Sequence, residues 1–329
     1  MSRLVRPLLG LVLMAGLAAP VRSAEVDALL PAESEAVLLV NVRQILESEL
    51  VKKYALGQIQ QALQGADAKK MMEKIGVDPL KDIERITVSF WGKDPKDMNG
   101  FGVIRGKFDP EKLFKTVEEF AKNEPTKAEI ISEGTYKLVK VTPEKEGSKP
   151  VYLSVADEKT ILAGSNSKMV AAGLAAAGKG GKSKLKKELA AVILAQDEKA
   201  SLFICGLTDG KVDVPPGLNI PGVDGAKLAK QLETMKSASL TLRLTADVGL
   251  DIGMGMKDAD AADDFANTVD GLIGTAKAFL PLLAGQQPAA KPLVDEVTKS
   301  LKSKVKDTDV TISLKVTADA IGKMVGAGE

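Results

Sequence analysis

From Leu240 to Met256 the chain alternates apolar and polar or small residues for seventeen positions without a slip. Leu240, Leu242, Leu244, Ala246, Val248, Leu250, Ile252, Met254 and Met256 fall on one side. Thr241, Arg243, Thr245, Asp247, Gly249, Asp251, Gly253 and Gly255 fall on the other. A period of two belongs to extended chain, so this stretch is one or two antiparallel strands with an apolar and a wet face. Ala246 to Gly249 is the expected turn, because a two-residue loop preserves the phase. On this pattern Leu242, Leu244, Leu250 and Ile252 are expected to be buried. Thr241, Arg243 and Asp251 are expected to face solvent or a partner. Val310, Ile312, Leu314 and Val316 repeat the alternation.

Helical periods surround these strands. Leu113, Phe114, Val117, Phe120 and Ala121 mark one apolar stripe, with Asp109-Pro110-Glu111 as its capped start. Phe265, Val269, Leu272, Ile273, Ala276, Phe279 and Leu283 mark a longer stripe, expected to face the sheet. Leu293, Val297, Leu301 and Val305 mark another, read as a helix over 290–305. Sheets and helices each with one apolar face predict an α+β fold. It is read as two tandem related units, each an antiparallel sheet with amphipathic helices packed on one face. The first half is expected to run as a strand at 36–42, helices within 44–75, strands at 83–92 and 100–108, a helix at 110–122 and strands near 128–142. The second half reads as a strand at 200–207, a helix at 225–235, strands at 238–246 and 248–257, helices at 259–284 and 290–305, and a strand at 309–317. The first half also carries a hairpin, Val151–Val155 with Thr160–Gly164, read as an addition to the shared order. The units are placed at 24–177 and 185–329, joined by a Gly/Lys-rich linker at 178–184.

Residues 1–23 read as an export signal. Arg3 and Arg6 precede an apolar run from Leu8 to Ala19, Pro20 breaks it, and Val21-Arg22-Ser23 leads to the cut. The run is too short to span a bilayer, and Glu25 and Asp27 follow it. The mature chain is therefore expected in the periplasm or outside the cell, with no membrane span after cleavage. Losing Arg3, Arg6 and Arg22 takes Lys plus Arg from 45 to 42 against 44 acids, a net charge of −2. That balance offers no electrostatic footprint for nucleic acid or an anionic membrane.

Composition narrows the chemistry further. The chain has no histidine and one cysteine. Histidine-assisted nucleophiles, histidine acid–base catalysis, the usual zinc sites and intrachain disulfides are excluded. Cys205 lies in Leu202-Phe203-Ile204-Cys205, a buried-strand pattern, and reads as a small core residue. Aromatics make up 4% of the chain, with Trp91 the lone tryptophan, which disfavours carbohydrate and single-stranded nucleic-acid stacking.

Several near-motifs fail on inspection. Gly181-Lys182-Ser183 lacks the earlier glycine of a phosphate loop, since position 176 is alanine. Ser165-Asn166-Ser167-Lys168 has the spacing of a serine–lysine nucleophile without its partner motifs, and Ser165 and Asn166 read as helix caps. Asp258, Asp260, Asp263 and Asp264 crowd one helix start, but Ala262, Asp263 and Val269 occupy the fifth, sixth and twelfth positions that a calcium loop fills otherwise. They suit the positive end of a helix dipole, and whether they bind a cation stays open at this point. No catalytic, metal-binding or cofactor residue is identified.

Leu30-Pro31-Ala32-Glu33-Ser34 followed by Val37 and Val40-Asn41-Val42-Arg43-Gln44-Ile45, then Ser48, resembles a family of exported bacterial proteins of unknown function. Their opening runs LP-acid-(S/T), then VNV-x-Q, then serine. Val77-Asp78-Pro79-Leu80 before a strand and Gly106-Lys107-Phe108-Asp109 before a helix fit the same pattern. The resemblance spans roughly residues 29–170 and implies no activity or cofactor. The expected function is a non-enzymatic exported envelope protein that binds or scaffolds an unknown envelope protein. The alternative is a carrier of an apolar, lipid-like ligand held between helices and a curved sheet, with Leu280 and Leu282 lining its groove.

Overall fold

A computed structural model describes residues 24–65, 69, 72, 77–93, 97–123, 128–143, 147–179, 182–210 and 224–326. The export segment 1–23 and Gly181 lie outside the described residues. The first half runs β1 (Ala36–Val40), α1 (Val42–Glu47), α2 (Glu49–Tyr54), α3 (Leu56–Gln64), α4 (Pro79–Asp82), β2 (Ile83–Trp91), β3 (Asn99–Gly106) and α5 (Pro110–Asn123). It continues with β4 (Ala128–Glu133), β5 (Tyr136–Val141), β6 (Val151–Asp157), β7 (Thr160–Gly164) and α6 (Ser167–Ala177). The second half runs α7 (Lys187–Leu194), β8 (Leu202–Leu207), α8 (Gly225–Leu232), β9 (Met235–Leu244), β10 (Asp247–Met256) and α9 (Ala259–Gln286). A short 3-10 turn, Pro288–Ala290, leads to α10 (Lys291–Ser300), β11 (Lys302–Lys306), β12 (Asp309–Thr317) and α11 (Ala318–Gly326).

Side-chain caps set several helix starts. Asp78 accepts from Leu80 N at 3.0 Å ahead of Pro79, and Asn166 accepts from Lys168 N at 2.9 Å. Asp224 accepts from Ala226 N at 2.9 Å, and Asp109 accepts from Lys112 N at 3.0 Å. Each satisfies a backbone donor that the first helical turn leaves unpaired.

The strands form one sheet rather than one per half. Its twelve strands lie in the order β11-β12-β10-β9-β8-β1-β2-β3-β7-β6-β5-β4, and every pairing is antiparallel. The halves meet where β1 pairs β8, with Leu38 opposite Ile204. The β6–β7 hairpin lies beside β3, and β4–β5 forms the outer edge. The loop between β9 and β10 is Thr245–Ala246, earlier than the expected turn, with Val248 opposite Leu244.

Residues 302–306 are strand, not the end of a helix from 290. Asp307, at φ 54°, turns the chain back so that Val305 pairs with Val310. Both join the apolar cluster beneath α9, a contact that a helical Val305 would forfeit. α10 protects the half of β12 that β11 does not reach. Ser300 donates to Lys315 O at 2.7 Å and accepts from Lys315 N at 3.0 Å, while Glu296 accepts from Thr317 N at 2.6 Å. An otherwise bare strand edge is thereby satisfied.

Helices lie on both sides of the sheet, not on one. On one side, α6, α7 and the segment after Ala24 close over Val37, Leu39, Phe101, Val103, Leu162, Phe203 and Cys205, with Val170, Leu189 and Ile193 from the helices. On the other, α8 and α9 pack Leu228, Phe265 and Val269 against Met254, Val310 and Ile312 near the β11 edge.

Candidate functional site

Cross-strand register gives the two faces of the sheet separately, because directly paired residues point the same way. One row on the α6–α7 side runs Asp251, Thr241, Phe203, Leu39, Thr87, Val103, Leu162 and Ser154. From Thr241 to Ser154 every member is buried, although three carry hydroxyls. The parallel row on the other face runs Ile312, Ile252, Leu240, Ile204, Leu38, Val88, Gly102, Ala163, Leu153, Val139 and Ile130. All of these are apolar. A second row beside it, Leu314, Leu250, Leu242, Leu202, Val40, Ile86, Ile104, Ile161 and Val155, is apolar too.

This second face is open over its centre. Leu38, Val88, Leu202, Leu240, Leu242, Leu250 and Ile252 are half-buried, and Ile204, on β8 beside the central strand β1, is 43% exposed. The helices that pack on this face through Met254, Val310, Ile312 and Ala238 do so on the β9–β12 side. At about 4.8 Å per strand the first row, over eleven strands, is roughly 50 Å long and the second, over nine, roughly 40 Å, with Ile312 and Val139 covered near the ends of the first. A monomer seldom leaves contiguous apolar surface on that scale without a use for it.

The expected burial at the β9–β10 hairpin is thus not found, and Arg243 and Asp251 are half-buried like the leucines they were expected to oppose. Leu242, Leu244, Leu250 and Ile252 are half-buried rather than enclosed, and Thr241 is 3% exposed. The cause is the segment after α7. Thr241 Oγ1 donates to Gln196 Oε1 at 2.7 Å, and Arg243 donates to Asp197 at 2.9 Å and to Asp251 at 2.6 Å. Burial draws the Arg243 pKa down, and the hydrogen bonds to Asp251 and Asp197 outweigh it, so the guanidinium is held above its ordinary value. The wet face is internal because these groups satisfy one another.

Along α9, Phe265 and Val269 are buried as expected, and Leu272, Ile273 and Ala276 are half-buried. Phe279, expected to face the sheet, is 52% exposed. The helix is still covered beyond it, at Ala284, so Phe279 lies off the packed side. Leu280 is half-buried and Leu282 is 63% exposed, so the two do not share one environment. Pro281 does not end the helix, which continues to Gln286. The side chain of Leu283 lies outside the described residues.

The remaining candidates resolve into structural contacts. Cys205 is buried, and burial pushes its thiol up to about 12, far from a reactive thiolate. Ser165 Oγ accepts from Gly100 N at 3.3 Å, and Ser183 Oγ accepts from Leu185 N at 3.2 Å. Asp258 caps α9 by accepting from Ala261 N at 2.8 Å, and Asp264 joins α9 to α8 through Gln231 at 2.7 Å and Lys227 at 3.0 Å. Asp260 and Asp263 are exposed. No group of three or more His, Cys, Asp or Glu among the described residues is placed to hold a metal ion.

A cleft of about 1110 Å³ opens at one end of the central strands, where Arg43, Gln44, Glu84, Arg85, Glu198 and Lys199 meet the β9–β10 loop. Arg43 pairs with Glu84 at 3.2 Å, and Gln44 Nε2 donates to Leu244 O at 2.8 Å. Cations and acids alternate around it, so it has no net sign with which to select an ionic ligand. Among the described residues, no helix is long and apolar enough to cross a membrane.

Comparison with protein-family models, with curated proteins and with solved structures found no match.

Proposed function

We propose that this is an exported, non-enzymatic binding protein of the cell envelope, and that it carries an apolar, lipid-like ligand on the open face of its sheet. One observation supports the reading above the others. The two central rows of one face are apolar yet only half-buried, with Ile204 exposed, whereas the hydroxyl-bearing row of the other face is buried from Thr241 to Ser154. Packing for stability alone favours the opposite arrangement, because exposed apolar area forgoes roughly 25 cal/mol per Å². Long parallel rows of Ile, Leu and Val without a charge suit extended hydrocarbon rather than a polar substrate. The export reading rests on residues 1–23, and the family resemblance on Leu30–Ser48 and the motifs near Asp78 and Gly106.

The two halves are further proposed to be divergent copies. Each runs inward to outward with the same connectivity, β1-β2-β3-β7-β6 in one and β8-β9-β10-β12-β11 in the other. On this account β4–β5 is the addition, and β6–β7 matches β11–β12. The boundary at 178–184 falls between the copies.

Native mass spectrometry of gently purified protein tests the carrier. Wild type should retain a lipid-like adduct, and Ile204→Asp should lose it while melting normally, since that side chain is already exposed. No adduct on wild type, with a protein co-purifying instead, would restore the scaffold reading.

A further inference from the structure

The residue that follows the export segment belongs to the core. Ala24 is 3% exposed and falls in the cluster that holds Leu30, Leu189, Ile193 and Ala200. Its backbone N donates to Gln196 O at 2.9 Å. A little further on, the Asp27 carboxylate pairs with Arg105 at 3.0 Å and accepts from Leu29 N at 3.0 Å. A chain terminus frays unless contacts tie it down, and residues 24–30 are tied down from their first member. Gln196 lies just past the end of α7, and that end lacks a cation. α7 has no basic residue in its last turn. Ala195 N and Gln196 N return to the carbonyls of Ala191 and Ile193, and Gln196 Nε2 donates to Val192 O. Among the described residues, the Leu194 and Ala195 carbonyls have no such partner. The C-terminal end of a helix carries partial negative charge and favours a positive group beside it.

We propose that removal of residues 1–23 creates at Ala24 the positive charge that the end of α7 lacks, and that the new terminus fastens α7 to the sheet. In an uncut chain the Ala24 amide brings one proton to Gln196 O. Hydrolysis of the Ser23–Ala24 bond consumes one water. Its oxygen stays with Ser23 as a carboxylate, and its two protons go to the Ala24 nitrogen, which becomes an ammonium. A charged donor makes a stronger hydrogen bond to the same carbonyl than an amide does. Gln196 passes this hold onward, because its Oε1 accepts from Thr241 on β9 at 2.7 Å. Leu189 and Ile193 of α7 share their cluster with Val37 and Phe203 of the paired strands β1 and β8. The terminus, α7 and the middle of the sheet are thus joined through one residue. A chain that still carries the export segment lacks this charge and holds α7 less firmly. The inference rests on the export reading, and it does not depend on what the open face of the sheet holds. The other charges near this terminus are Glu188 on α7, Asp197, Glu198 and Lys199 on the turn after it, Arg243 of β9 bound to Asp197, and Glu25 and the Asp27–Arg105 pair beside Ala24. All of them are shared by a free and an acetylated terminus, so the difference between those two forms isolates the ammonium.

Thermal melts of residues 24–329 provide the test. One form has a free Ala24 released without a scar from an N-terminal fusion, and the other is acetylated on the Ala24 nitrogen. The free form should melt at least about 2 °C higher at about pH 6.5. That gap should shrink as pH rises beyond about 8, where an ordinary α-amino group has lost its proton. The sign follows because a fold that favours the ammonium gains stability while the proton is bound and loses it as pH rises through the folded value. A glycine–serine extension ahead of Ala24 keeps the charge but moves it outward, and it should melt with the acetylated form. Equal melting of the free and acetylated chains, or a gap that does not change with pH, would overturn the proposal. The intact mass of the protein recovered from the envelope tests the export reading separately. The mass of residues 24–329 supports both. A chain that keeps residues 1–23 would overturn both, whereas equal melting with the shorter mass would overturn the proposal alone.

Discussion

At Gly173 a single missing methyl group sets how closely α6 approaches the sheet. A Cβ there would meet Phe101 Cζ at 2.8 Å and Leu162 Cδ1 at 2.9 Å, and both rings and branches are held in the core. Alanine favours a helix over glycine by about 1 kcal/mol. Overpacking a filled core costs about 1–3 kcal/mol. The second effect should win at this site, so Gly173→Ala should lower the denaturation midpoint, and a raised midpoint would mean that α6 slides freely. Asp309 makes the opposite case. Asp309 is exposed by surface area, yet partial desolvation beside β10, with the neighbouring Asp307 carboxylate, holds its carboxyl above the ordinary value. The folded chain therefore binds that proton more tightly than the unfolded chain does. Stability from this group is lost as pH rises through the folded pKa. Asp309→Asn should melt higher than wild type at neutral pH, with the gain gone below about pH 3.9. Thermal melts at the two pH values check it.

At the scale of the element, the β9–β10 hairpin carries the clearest consequence of this sharing of burial between the two faces. Enclosed leucines cost about 2–5 kcal/mol on truncation to alanine. Leu242 is half-buried, so Leu242→Ala should fall below that range. Arg243→Ala should cost at least as much, because it leaves Asp197 and Asp251 facing each other without their cation. Urea midpoints of the two variants decide the order. A larger loss at Leu242 would mean that its face is covered in solution. The hairpin's strands were legible from alternation alone. The end of α10 was not, because Val305 satisfies a helical stripe with Leu301 and a strand pairing with Val310 equally well, and only the turn at Asp307 selects the second.

Across the whole molecule, the pairing of β1 with β8 joins what the chain separates. Leu185, Leu189 and Ile193 follow the 178–184 segment yet pack with Val37, Phe101 and Leu162 from before it. Mild trypsin should cut first near Lys179–Lys187, where Lys179, Lys182 and Lys184 are exposed. The two fragments should remain together on gel filtration under native conditions, because separating them breaks the sheet at its middle. Fragments that part spontaneously would mean that the β1–β8 ladder contributes little.

Sequence by itself determined most of the elements, though not α7, β11 or α11. Alternation, caps and helical stripes are local, and they place the strands about Leu38, Ile204 and Leu242, the capped starts at Asp78, Asp109 and Asn166, and the buried half of α9. The apolar character of the open face was also written there, in every second residue of each strand. Tertiary structure alone decided which face is sealed and which is left bare. Strands such as Leu202–Leu207 are apolar on both sides, and residues such as Thr241 and Ser154 look wet until Gln196 and the Lys137 carbonyl satisfy them. Burial belongs to whatever comes to lie above a residue. Here that is α7, placed by contacts between residues more than a hundred positions apart, which no local period encodes.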